Sequence, residues 1–356
     1  MEKIEIRNFG PIKEAEIEIK DINVFIGKTS SGKSTAAKLI AIFKDIEFYL
    51  NDYYTNFNKR LADYNIDFDI TNNTYINYFS DEHKVNWEIK NMNLQRHHKP
   101  IEKPSPADYI VPNINYIPAE RAFFPMIAAS IFGLLKNDVA LAKCIKNFGS
   151  EFEEARMSLK KLFIGFLNVK YEFSDGNNYL IYKNVRIRLE QASSGFQSVV
   201  PLIVVVEYFT EKTKEPWRIN FIIEEPELNL YPTVQKKLVE YLIERINGSK
   251  NLIYNSYNKL FITTHSPYIL TSLDNLIQAH NVAMKGGTYE EEAKKIVDPK
   301  CWLEFERVSC YYFKEDGTCK STLDHEYRLI GASEIDDVST EISNTYENLI
   351  DLKYKE

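Results

Sequence analysis

The sequence has few of the residues that mark disordered, fibrous or disulfide-linked chains. Its 356 residues include only 13 glycines, 13 prolines and 4 cysteines, and no two cysteines form a C-x-x-C pair. No run of about 18 apolar residues occurs, so no membrane-spanning helix is predicted. The N-terminal residues also lack the apolar segment of a signal peptide. We therefore expect a globular, cytoplasmic protein with reduced thiols and no membrane partner.

Charge of one sign is not in large excess either. The chain has 44 lysines and arginines against 51 acidic residues, which gives a formal net charge of −7. This balance disfavours a protein that binds nucleic acid over its whole surface, but it is compatible with a local basic patch. The candidate basic clusters for DNA are Lys59 with Arg60, Arg96 with Lys99, and Lys160 with Lys161.

Hydrophobic periodicity predicts alternating strands and helices. The first half is predicted to contain two strands flanking Gly10-Pro11, a buried strand at 21–26, a glycine-rich loop and a helix, then exposed strands at 74–80 and 84–90 and a short strand at 114–117. A helical stretch is predicted from Phe123 to about Val169, with breaks near Gly133 and Gly149, followed by a hairpin. Downstream we expect a buried helix at 197–210, strands at 219–225 and 258–264, helices at 232–246 and 268–280, short strands at 302–313 and a final helix at 339–352.

Residues 27–34 read GKTSSGKS and match the pattern G-x-x-x-x-G-K-[ST]. In such a loop, backbone N–H groups and the start of the following helix bind phosphate oxygens. Lys33 would reach the β- and γ-phosphates, and the Ser34 hydroxyl would bind Mg²⁺. Because a buried strand precedes the loop and an apolar helix follows it, we predict an ATP site. Its residues are Gly27, Lys28, Thr29, Ser30, Ser31, Gly32, Lys33, Ser34 and Thr35.

The strand predicted at 219–225 ends in the acids Glu224 and Glu225. Ligands bind beyond the C-terminal ends of strands in open α/β sheets. Glu224 is therefore predicted to bind Mg²⁺, and Glu225 to polarise the water that attacks the γ-phosphate. Alone, the acids could equally cap the next helix, since Pro226 and Glu227 suit a first turn. The phosphate loop upstream favours the catalytic interpretation.

Two further segments are candidates for contacts with the nucleotide. His265 follows the next buried strand, 40 residues after Glu225 (265 − 225), where an imidazole can hydrogen-bond the γ-phosphate or the attacking water. Residues 192–198, ASSGFQS, precede a long apolar helix. Serine and glycine at a helix start bind anions or cap the helix, and this loop on its own is more typical of a cap.

In chain order, the phosphate loop, the serine-glycine loop, the acidic strand end and the downstream histidine together resemble the ABC-type ATPases. The closer resemblance is to their soluble branch, which comprises SMC proteins, RecF, OLD-type ATPases and the AAA-labelled ATPases of prokaryotic defence systems. The motifs that carry it are IRNFGPI at 6–12, IEEPELNLYP at 223–232 and TTHSP at 263–267. YIPAER at 116–121 resembles a motif common in the defence group and falls where an ABC protein has its Q-loop, so Glu120 and Arg121 are Q-loop-like candidates.

The resemblance implies an α/β P-loop NTPase of the ABC-ATPase type, with a mixed sheet, flanking helices, an N-terminal antiparallel β part and an inserted helical lobe. It implies that two copies pair head to tail around ATP and Mg²⁺. The serine-glycine loop of one copy would then contact the γ-phosphate in the other, through Ser193, Ser194, Gly195 and Gln197. Hydrolysis, assigned to Glu225, His265 and Lys33, would release the pair, with Mg²⁺ held by Ser34 and Glu224.

The sequence departs from the family pattern at several places. Lys28-Thr29-Ser30 stands where Pro-Asn-Gly is frequent, the signature reads SSGFQ instead of LSGGQ, and Glu224 replaces the commoner aspartate. The Q-loop region has no glutamine. No long heptad tract follows the phosphate loop, so no SMC-like coiled-coil arm is expected.

The expected organisation is an ATPase core at 1–122 and 191–290, a helical lobe with a hairpin at 123–190 and a C-terminal extension at 291–356. The expected function is a sensor or scaffold ATPase that serves a separate effector in antiviral defence or DNA maintenance, with DNA as a further candidate partner. The alternative is an OLD-like DNA-processing nuclease, although the 91 residues after His265 (356 − 265) contain no D-x-D pair. The NFGP start and the degenerate signature disfavour a transporter subunit.

Overall fold

The structure is a computed structural model that describes residues 1–45, 57–81, 85–97, 113–127, 141–212, 219–249, 257–331, 344–347 and 349–350. This part of the chain is mixed α/β, as the sequence predicts. None of the helices in these ranges is long and apolar enough to cross a membrane.

The helices and strands are numbered in chain order. The strands are β1 (Glu2–Phe9), β2 (Ile12–Glu18), β3 (Ile22–Gly27), β4 (Tyr75–Ser80), β5 (Val85–Lys90), β6 (Asn93–Arg96), β7 (Asn113–Ile117), β8 (Lys161–Ile164), β9 (Val169–Ser174), β10 (Asn177–Tyr182), β11 (Val185–Arg188), β12 (Ile219–Glu224), β13 (Lys259–Thr264), β14 (Val308–Phe313), β15 (Cys319–Ser321), β16 (Leu323–Asp324) and β17 (Leu329–Ile330). The α-helices are α1 (Lys33–Lys44), α2 (Phe57–Asp63), α3 (Phe124–Ile127), α4 (Lys143–Leu159), α5 (Ser194–Lys212), α6 (Pro232–Gly248), α7 (Pro267–Ala283) and α8 (Thr288–Ile296).

An antiparallel sheet in the order β2-β1-β4-β5-β6 forms the N-terminal part. The two strands flanking Gly10-Pro11 are confirmed as β1 and β2, with Phe9 paired to Ile12 across the turn. The sequence predicted β4 and β5 as exposed strands, but the structure buries one face of each. That face covers α1, where the ring of Phe43 stacks on Tyr78 with centroids 5.5 Å apart. The alternation of apolar and polar residues predicted the strands, but it did not reveal that their apolar face packs against α1.

A six-stranded sheet in the order β15-β14-β3-β13-β12-β7 forms the centre of the molecule. Its strands β7, β12, β13, β3 and β14 run parallel, and β15 is an antiparallel edge. β3 and β12 are buried at every residue, which explains their continuous apolar sequences. Strand β14 comes from the segment expected to be a C-terminal extension, and it pairs with β3 over its whole length.

Hydrophobic clusters cover both faces of the central sheet. Val24 and Ile26 of β3 belong to the cluster that includes α5, α6 and α7, whereas Phe25 belongs to the cluster with α1 and the N-terminal sheet. The alternation follows from the two-residue period of a strand. The buried helix predicted at 197–210 is confirmed as α5, which remains helical through Pro201.

A third sheet, in the order β11-β10-β9-β8, precedes α5 and contains the predicted hairpin. The helical stretch predicted from Phe123 to Val169 is only partly correct, because it ends at Leu159 and β8 follows. Gly149 lies inside α4 instead of breaking it. A Cβ there would lie 2.6 Å from a ring carbon of Phe124, so the glycine makes room for that ring. The predicted break near Gly133 and most of the predicted final helix lie outside the described residues.

All four cysteines are free thiols, as expected. Burial raises the pKa of Cys144 to about 11 and the pKa values of Cys301, Cys310 and Cys319 to about 12. The reactive form of cysteine is the thiolate, and burial therefore disfavours that form at all four positions.

A buried ion cluster ties the start of the chain to the centre. Glu2, 5% exposed, forms an ion pair with Lys44 at the end of α1. Its carboxylate also accepts a hydrogen bond from Tyr78 at 2.6 Å and lies 3.1 Å from the Lys259 ammonium at the start of β13. Burial alone would raise the pKa of Glu2, but Lys44 and Lys259 outweigh it and hold that pKa well below its usual range.

We predict that Glu2→Gln lowers the free energy of unfolding at neutral pH by about 3 to 5 kcal/mol, because it leaves the buried Lys44 ammonium and the half-buried Lys259 ammonium without their counter-charge. Since the folded-state pKa of Glu2 is depressed, the contribution is complete above the unfolded value near 4.5 and is lost as the pH falls. The difference from wild type should therefore shrink in acid. Urea unfolding at several pH values measures it. Glu14→Gln, at an exposed glutamate, is the control, and a similar loss there would contradict the assignment.

Candidate functional site

The carboxyl ends of four neighbouring parallel strands bring the predicted segments together. In the sheet order β3-β13-β12-β7, these ends lead to the phosphate loop, His265, Glu225 and the YIPAER segment. Residues far apart in the sequence thus meet at one edge, which is where open α/β sheets bind ligands.

The phosphate loop has a backbone that requires its glycines. Gly27 has φ +150°, and a Cβ there would lie 2.3 Å from the carbonyl oxygen of Phe313. Gly32 has φ +106° and directly precedes α1. The strand β14 therefore packs against the loop so closely that only glycine fits at residue 27.

The Lys33 side chain folds back onto its own loop. Its ammonium donates hydrogen bonds to the carbonyl oxygens of Gly27 at 2.8 Å and Lys28 at 2.7 Å. Burial lowers the pKa of Lys33 to about 8, although Glu225, Glu227 and Glu224 favour its charged form.

The remaining loop residues differ in exposure. Lys28, Thr29 and Ser30 are exposed, and Lys28 forms an exposed ion pair with Glu315 at 2.8 Å. Ser31 and Thr35 are buried, and Ser34 is half-buried in the first turn of α1. The three exposed loop residues are the same ones that differ from the Pro-Asn-Gly frequent in the family that the sequence resembles.

The end of β12 separates its two acids. Glu224 is buried, and its Oε1 has no hydrogen-bond partner among the described residues. Glu225 has φ +43°, a left-handed conformation that is unfavourable for a residue with a side chain. Its backbone N–H bonds the Thr263 carbonyl at 2.9 Å, and its carboxylate Oε1 lies 3.2 Å from His265 Nε2. Two predicted site residues, from different strands, thus form a pair.

Glu227 holds the segment around His265, a role that the sequence did not predict. Its Oε1 accepts hydrogen bonds from the Thr264 hydroxyl at 2.7 Å and from the His265 backbone N–H at 2.8 Å. The Ser266 hydroxyl donates to Gln235 at 2.6 Å. The EEPE sequence offered a signal for Glu227, but it also suited a helix start.

Arg121 of the YIPAER segment is fully buried and donates four hydrogen bonds to backbone carbonyl oxygens. The acceptors are Pro118 at 3.1 Å, Ser198 at 3.1 Å, Glu224 at 2.6 Å and Glu225 at 2.6 Å. Burial lowers the pKa of Arg121 to about 10, and Glu227, Glu225 and Glu224 oppose this shift. Its neighbour Glu120 is exposed. Of the two Q-loop-like candidates, the arginine is the one joined to the site.

Tyr116, in the same segment, lies beside Glu224. It is 4% exposed, and burial, followed by the Glu224 charge, raises its pKa well above the usual value. It is therefore a neutral phenol at one side of the buried carboxylate. No separate pattern in the sequence indicated this tyrosine.

The serine-glycine loop lies against the segment that follows Glu225. Ser193 and Ser194 are exposed, and a Cβ on Gly195 would lie 2.8 Å from the Asn229 carbonyl oxygen. The Gln197 side chain turns back to the carbonyls of Glu190 at 3.0 Å and Ala192 at 2.9 Å. Among the residues that the structure describes, no hydrogen bond joins this loop to the phosphate loop of the same chain.

The donors at this edge fit Mg²⁺ bound together with a nucleotide. The unpartnered Glu224 oxygen and the Ser34 hydroxyl are hard oxygen ligands, and Mg²⁺ usually takes one or two carboxylates plus phosphate oxygens and waters. Within the described ranges, no group of three or more His, Cys, Asp or Glu side chains is arranged to hold a metal ion alone. The protein ligands would therefore be Ser34 and Glu224.

Comparison with known proteins gives one family and several distant similarities. The family described as AAA ATPase domain matches residues 1–117 and 136–270. A curated protein, endonuclease GajA of Bacillus cereus (strain VD045), is 28% identical over 144 residues, which cover 38% of this chain and only 23% of that protein.

Among solved structures, the SMC head domain from Thermotoga maritima is 12% identical, with 76% of this chain and 90% of that chain covered and a TM-score of 0.39. The recombination mediator RecF is 11% identical, with 90% and 97% covered and a TM-score of 0.43.

We predict that the affinity for ATP is constant below about pH 8 and falls above it. The ligand-free protein loses the Lys33 ammonium near that pH, whereas bound phosphates favour its charged form. The dissociation constant should then rise by up to about tenfold per pH unit, until the pKa of the complex is reached. Titration with a fluorescent ATP analogue measures this.

Lys33→Arg provides the control for this pH dependence. An arginine stays protonated throughout the range, so the slope should vanish even if the affinity is lower. The same slope in this variant would show that another group titrates.

Proposed function

The chain belongs to the AAA ATPase domain family, and on that premise we propose that it binds and hydrolyses ATP as a head-to-tail dimer that serves a separate effector. The observation that carries the proposal is the pairing of Glu225 with His265 at 3.2 Å, on the same sheet edge as Lys33. A carboxylate, an imidazole and a phosphate-binding lysine are the groups that phosphoryl transfer to water requires.

The first step is binding of the phosphates by residues 27–35. Lys33 exchanges the carbonyls of Gly27 and Lys28 for β- and γ-phosphate oxygens. The N–H groups at the start of α1 face the phosphates, and their partial positive charge favours anions. The buried Ser31 hydroxyl has no partner in the described part of the chain and is available as a donor.

Hydrolysis then uses the pair at the end of β12. Glu225 accepts a proton from a water whose oxygen attacks the γ-phosphorus, while the bond to the bridging oxygen of ADP breaks. His265 orients Glu225 or the γ-phosphate through Nε2, and Glu227 fixes the His265 backbone. Mg²⁺ held by Ser34 and Glu224 would neutralise charge on the phosphates.

Pairing of two copies assigns a role to the serine-glycine loop. Ser193 and Ser194 are exposed at the start of α5, whose first turn carries no acid. A helix start of this kind binds an anion. In the proposed dimer, these serines and Gly195 contact the γ-phosphate held by the partner, and Gln197 keeps the loop in shape. ATP then links binding to association.

The cellular role proposed is that of a sensor or scaffold subunit in the cytoplasm, in antiviral defence or DNA maintenance. Similarity to part of an endonuclease supports a partner that acts on DNA. The alternative is that the chain itself is an OLD-like DNA-processing enzyme. Because the alignment spans 23% of that endonuclease, its nuclease activity is not carried over to this chain.

A second candidate function is nucleic-acid binding on the open face of the third sheet. Cross-strand pairing places two rows of residues on this basic face, namely Lys161, Glu172, Tyr179 and Arg188 in one row and Phe163, Lys170, Ile181 and Arg186 in the other. Four cations thus face one acid, although the chain as a whole has a net charge of −7. In the sequence, the strands of this face come directly before the serine-glycine loop. A nucleic-acid strand bound to the face would therefore lie close in sequence to the proposed dimer contact.

The contacts on the basic face combine cations with aromatic rings. The Arg186 guanidinium lies 3.7 Å from the centre of the Tyr179 ring and forms an ion pair with Glu172 at 2.8 Å. Phe163 is 65% exposed on this face. Lysine and arginine would bind the phosphate backbone, and the rings would stack on bases.

The three basic clusters predicted from the sequence differ in their exposure and in whether the structure describes them. The Arg60 side chain is buried against Asp45 at 3.4 Å and Asp63 at 3.9 Å, so Lys59 with Arg60 is not an open basic patch. Lys99 lies outside the described residues, as does the side chain of Arg96. Only the cluster of Lys160 and Lys161 adjoins the basic face.

We predict that Glu225→Gln, which slows hydrolysis, has a mass of twice 41.6 kDa with ATP and of 41.6 kDa without it. Adding Ser194→Arg should keep the protein monomeric although it still binds ATP, because the arginine blocks the trans contact. Ser321→Arg, at an exposed serine on β15, is the matched control and should still dimerise. Light scattering after size-exclusion chromatography gives the masses. A monomer for Glu225→Gln with ATP would refute the dimer, and a dimer for the Ser194→Arg variant would refute the trans contact.

Reversing the charges of Lys170, Arg186 and Arg188 to glutamate should weaken binding of a labelled oligonucleotide by about tenfold or more and flatten its salt dependence. The matched control reverses Lys285, Lys294 and Lys295, which are exposed at or near α8. Fluorescence anisotropy at several salt concentrations measures both effects. Equal weakening in the two triple variants, or none in the first, would rule out the basic face as the site. If wild type does not bind the oligonucleotide through this face but binds an acidic protein there, the ligand of the basic face is a protein.

A further inference from the structure

We infer that Arg121 is a positioning residue that couples the first turn of α5 to the conformation of Glu225. The inference rests on the proposed function, because it takes Glu225 as the base and the start of α5 as the contact to the second copy. It adds a physical connection through which docking of the α5 start on the second copy affects Glu225. Arg121 itself touches neither ATP nor water in this scheme.

The guanidinium joins three segments that are remote in sequence. It bonds Pro118 in its own segment, Ser198 in α5 and both Glu224 and Glu225 at the end of β12. The donors of an arginine lie in one rigid plane, so all of these bonds form together only at one relative position of the segments. A shift of α5 against β12 must therefore break or stretch some of them.

The contact to Glu225 acts on a strained residue. Glu225 has φ +43°, which a side chain disfavours. Arg121 Nη2 binds its carbonyl oxygen at 2.6 Å, and the Thr263 carbonyl binds its N–H at 2.9 Å. Both ends of the residue are thus fixed, and this fixes the direction in which its side chain leaves the backbone, on the side where the carboxylate reaches His265. Strain of this kind persists only where the surroundings over-determine it.

The contact to Ser198 connects the same guanidinium to the proposed interface. Ser198 lies in the first turns of α5, four residues after the exposed Ser194. When Ser193 and Ser194 dock on a phosphate of the second copy, any displacement of this helix start is transmitted to Arg121 Nε. Arg121 already holds Glu225 in the single chain, and a docked helix start would keep α5 at the position in which all of these bonds form together. Docking thereby favours hydrolysis in the assembled dimer.

The test compares Arg121→Lys with Arg156→Lys, a matched change at another buried arginine on α4. A lysine keeps the charge but cannot bond three segments at once. Arg121→Lys should lower kcat by about 100-fold, as a small displacement of a catalytic group does, and change the ATP affinity by less than about threefold. Arg156→Lys should leave kcat near the wild-type value.

A double-variant cycle separates coupling from simple support of the fold. Ser194→Arg should lower kcat strongly in the wild-type background and add little in the Arg121→Lys background, because the connection is already cut. If the losses of kcat in the two single variants multiply in the double variant, the inference is overturned. A wild-type kcat for Arg121→Lys, or a loss of kcat that merely follows equal losses of melting temperature and ATP affinity, would also overturn it.

If Arg121→Lys does not fold, hydrogen exchange in two folded proteins, wild type and Ser194→Arg, tests the coupling instead. With a non-hydrolysable ATP analogue, a peptide over residues 118–123 should gain protection in wild type and not in Ser194→Arg. Equal protection in both would overturn the coupling. Failure of the proposed function gives a different result, namely a wild-type protein that neither hydrolyses ATP nor pairs.

Discussion

The balance of buried charge at one sheet edge is the constraint on which the rest of the site depends. Glu224, Glu225 and Glu227 follow one another at the end of β12, and all three favour the charged forms of Lys33 and Arg121. Burial acts in the opposite direction on both cations. Lys33 comes from the β3 side of β12 and Arg121 from the β7 side, so positive charge flanks the acids within the sheet. Glu224 is buried and the other two acids are half-buried, and a buried charge is stable only where it is paired.

The two cations are held differently, and the difference fits their roles. Among the residues that the structure describes, Lys33 bonds the carbonyls of Gly27 and Lys28 in its own loop, and its flexible stem can release them for a ligand. Arg121 bonds carbonyls of its own segment and of two remote segments, and its rigid plane cannot leave one without disturbing the others. A lysine is therefore the exchangeable charge of this edge, and the arginine is part of its framework.

Local patterns were sufficient to predict the strands that end in the site, and the motifs placed Lys33, Glu225 and His265 beside one another before any geometry was known. Contacts between distant segments could not be predicted in this way. The acceptors of Arg121 are backbone carbonyls, which leave no mark in the sequence, and the pairing of β14 with β3 is set by tertiary packing. Gly149 inside α4 misled the prediction because a glycine that admits the Phe124 ring resembles one that breaks a helix.

The edge holds several buried polar atoms that a ligand could bond. Ser31 Oγ, Glu224 Oε1, Glu227 Oε2 and Thr263 Oγ1 are buried there without hydrogen-bond partners in the described part of the chain. Each such atom costs about 1 to 3 kcal/mol, and the left-handed Glu225 adds strain. The apolar clusters on both faces of the central sheet offset these costs. A ligand shifts an equilibrium only by its differential interaction with the states concerned. The Ser31 hydroxyl would donate to a phosphate oxygen, and the Glu224 oxygen would bind a cation, so these two atoms would interact differently with the bound and the free state. Folding and nucleotide binding are therefore linked at this edge, and the groups that weaken the empty site are the same ones that strengthen the filled one.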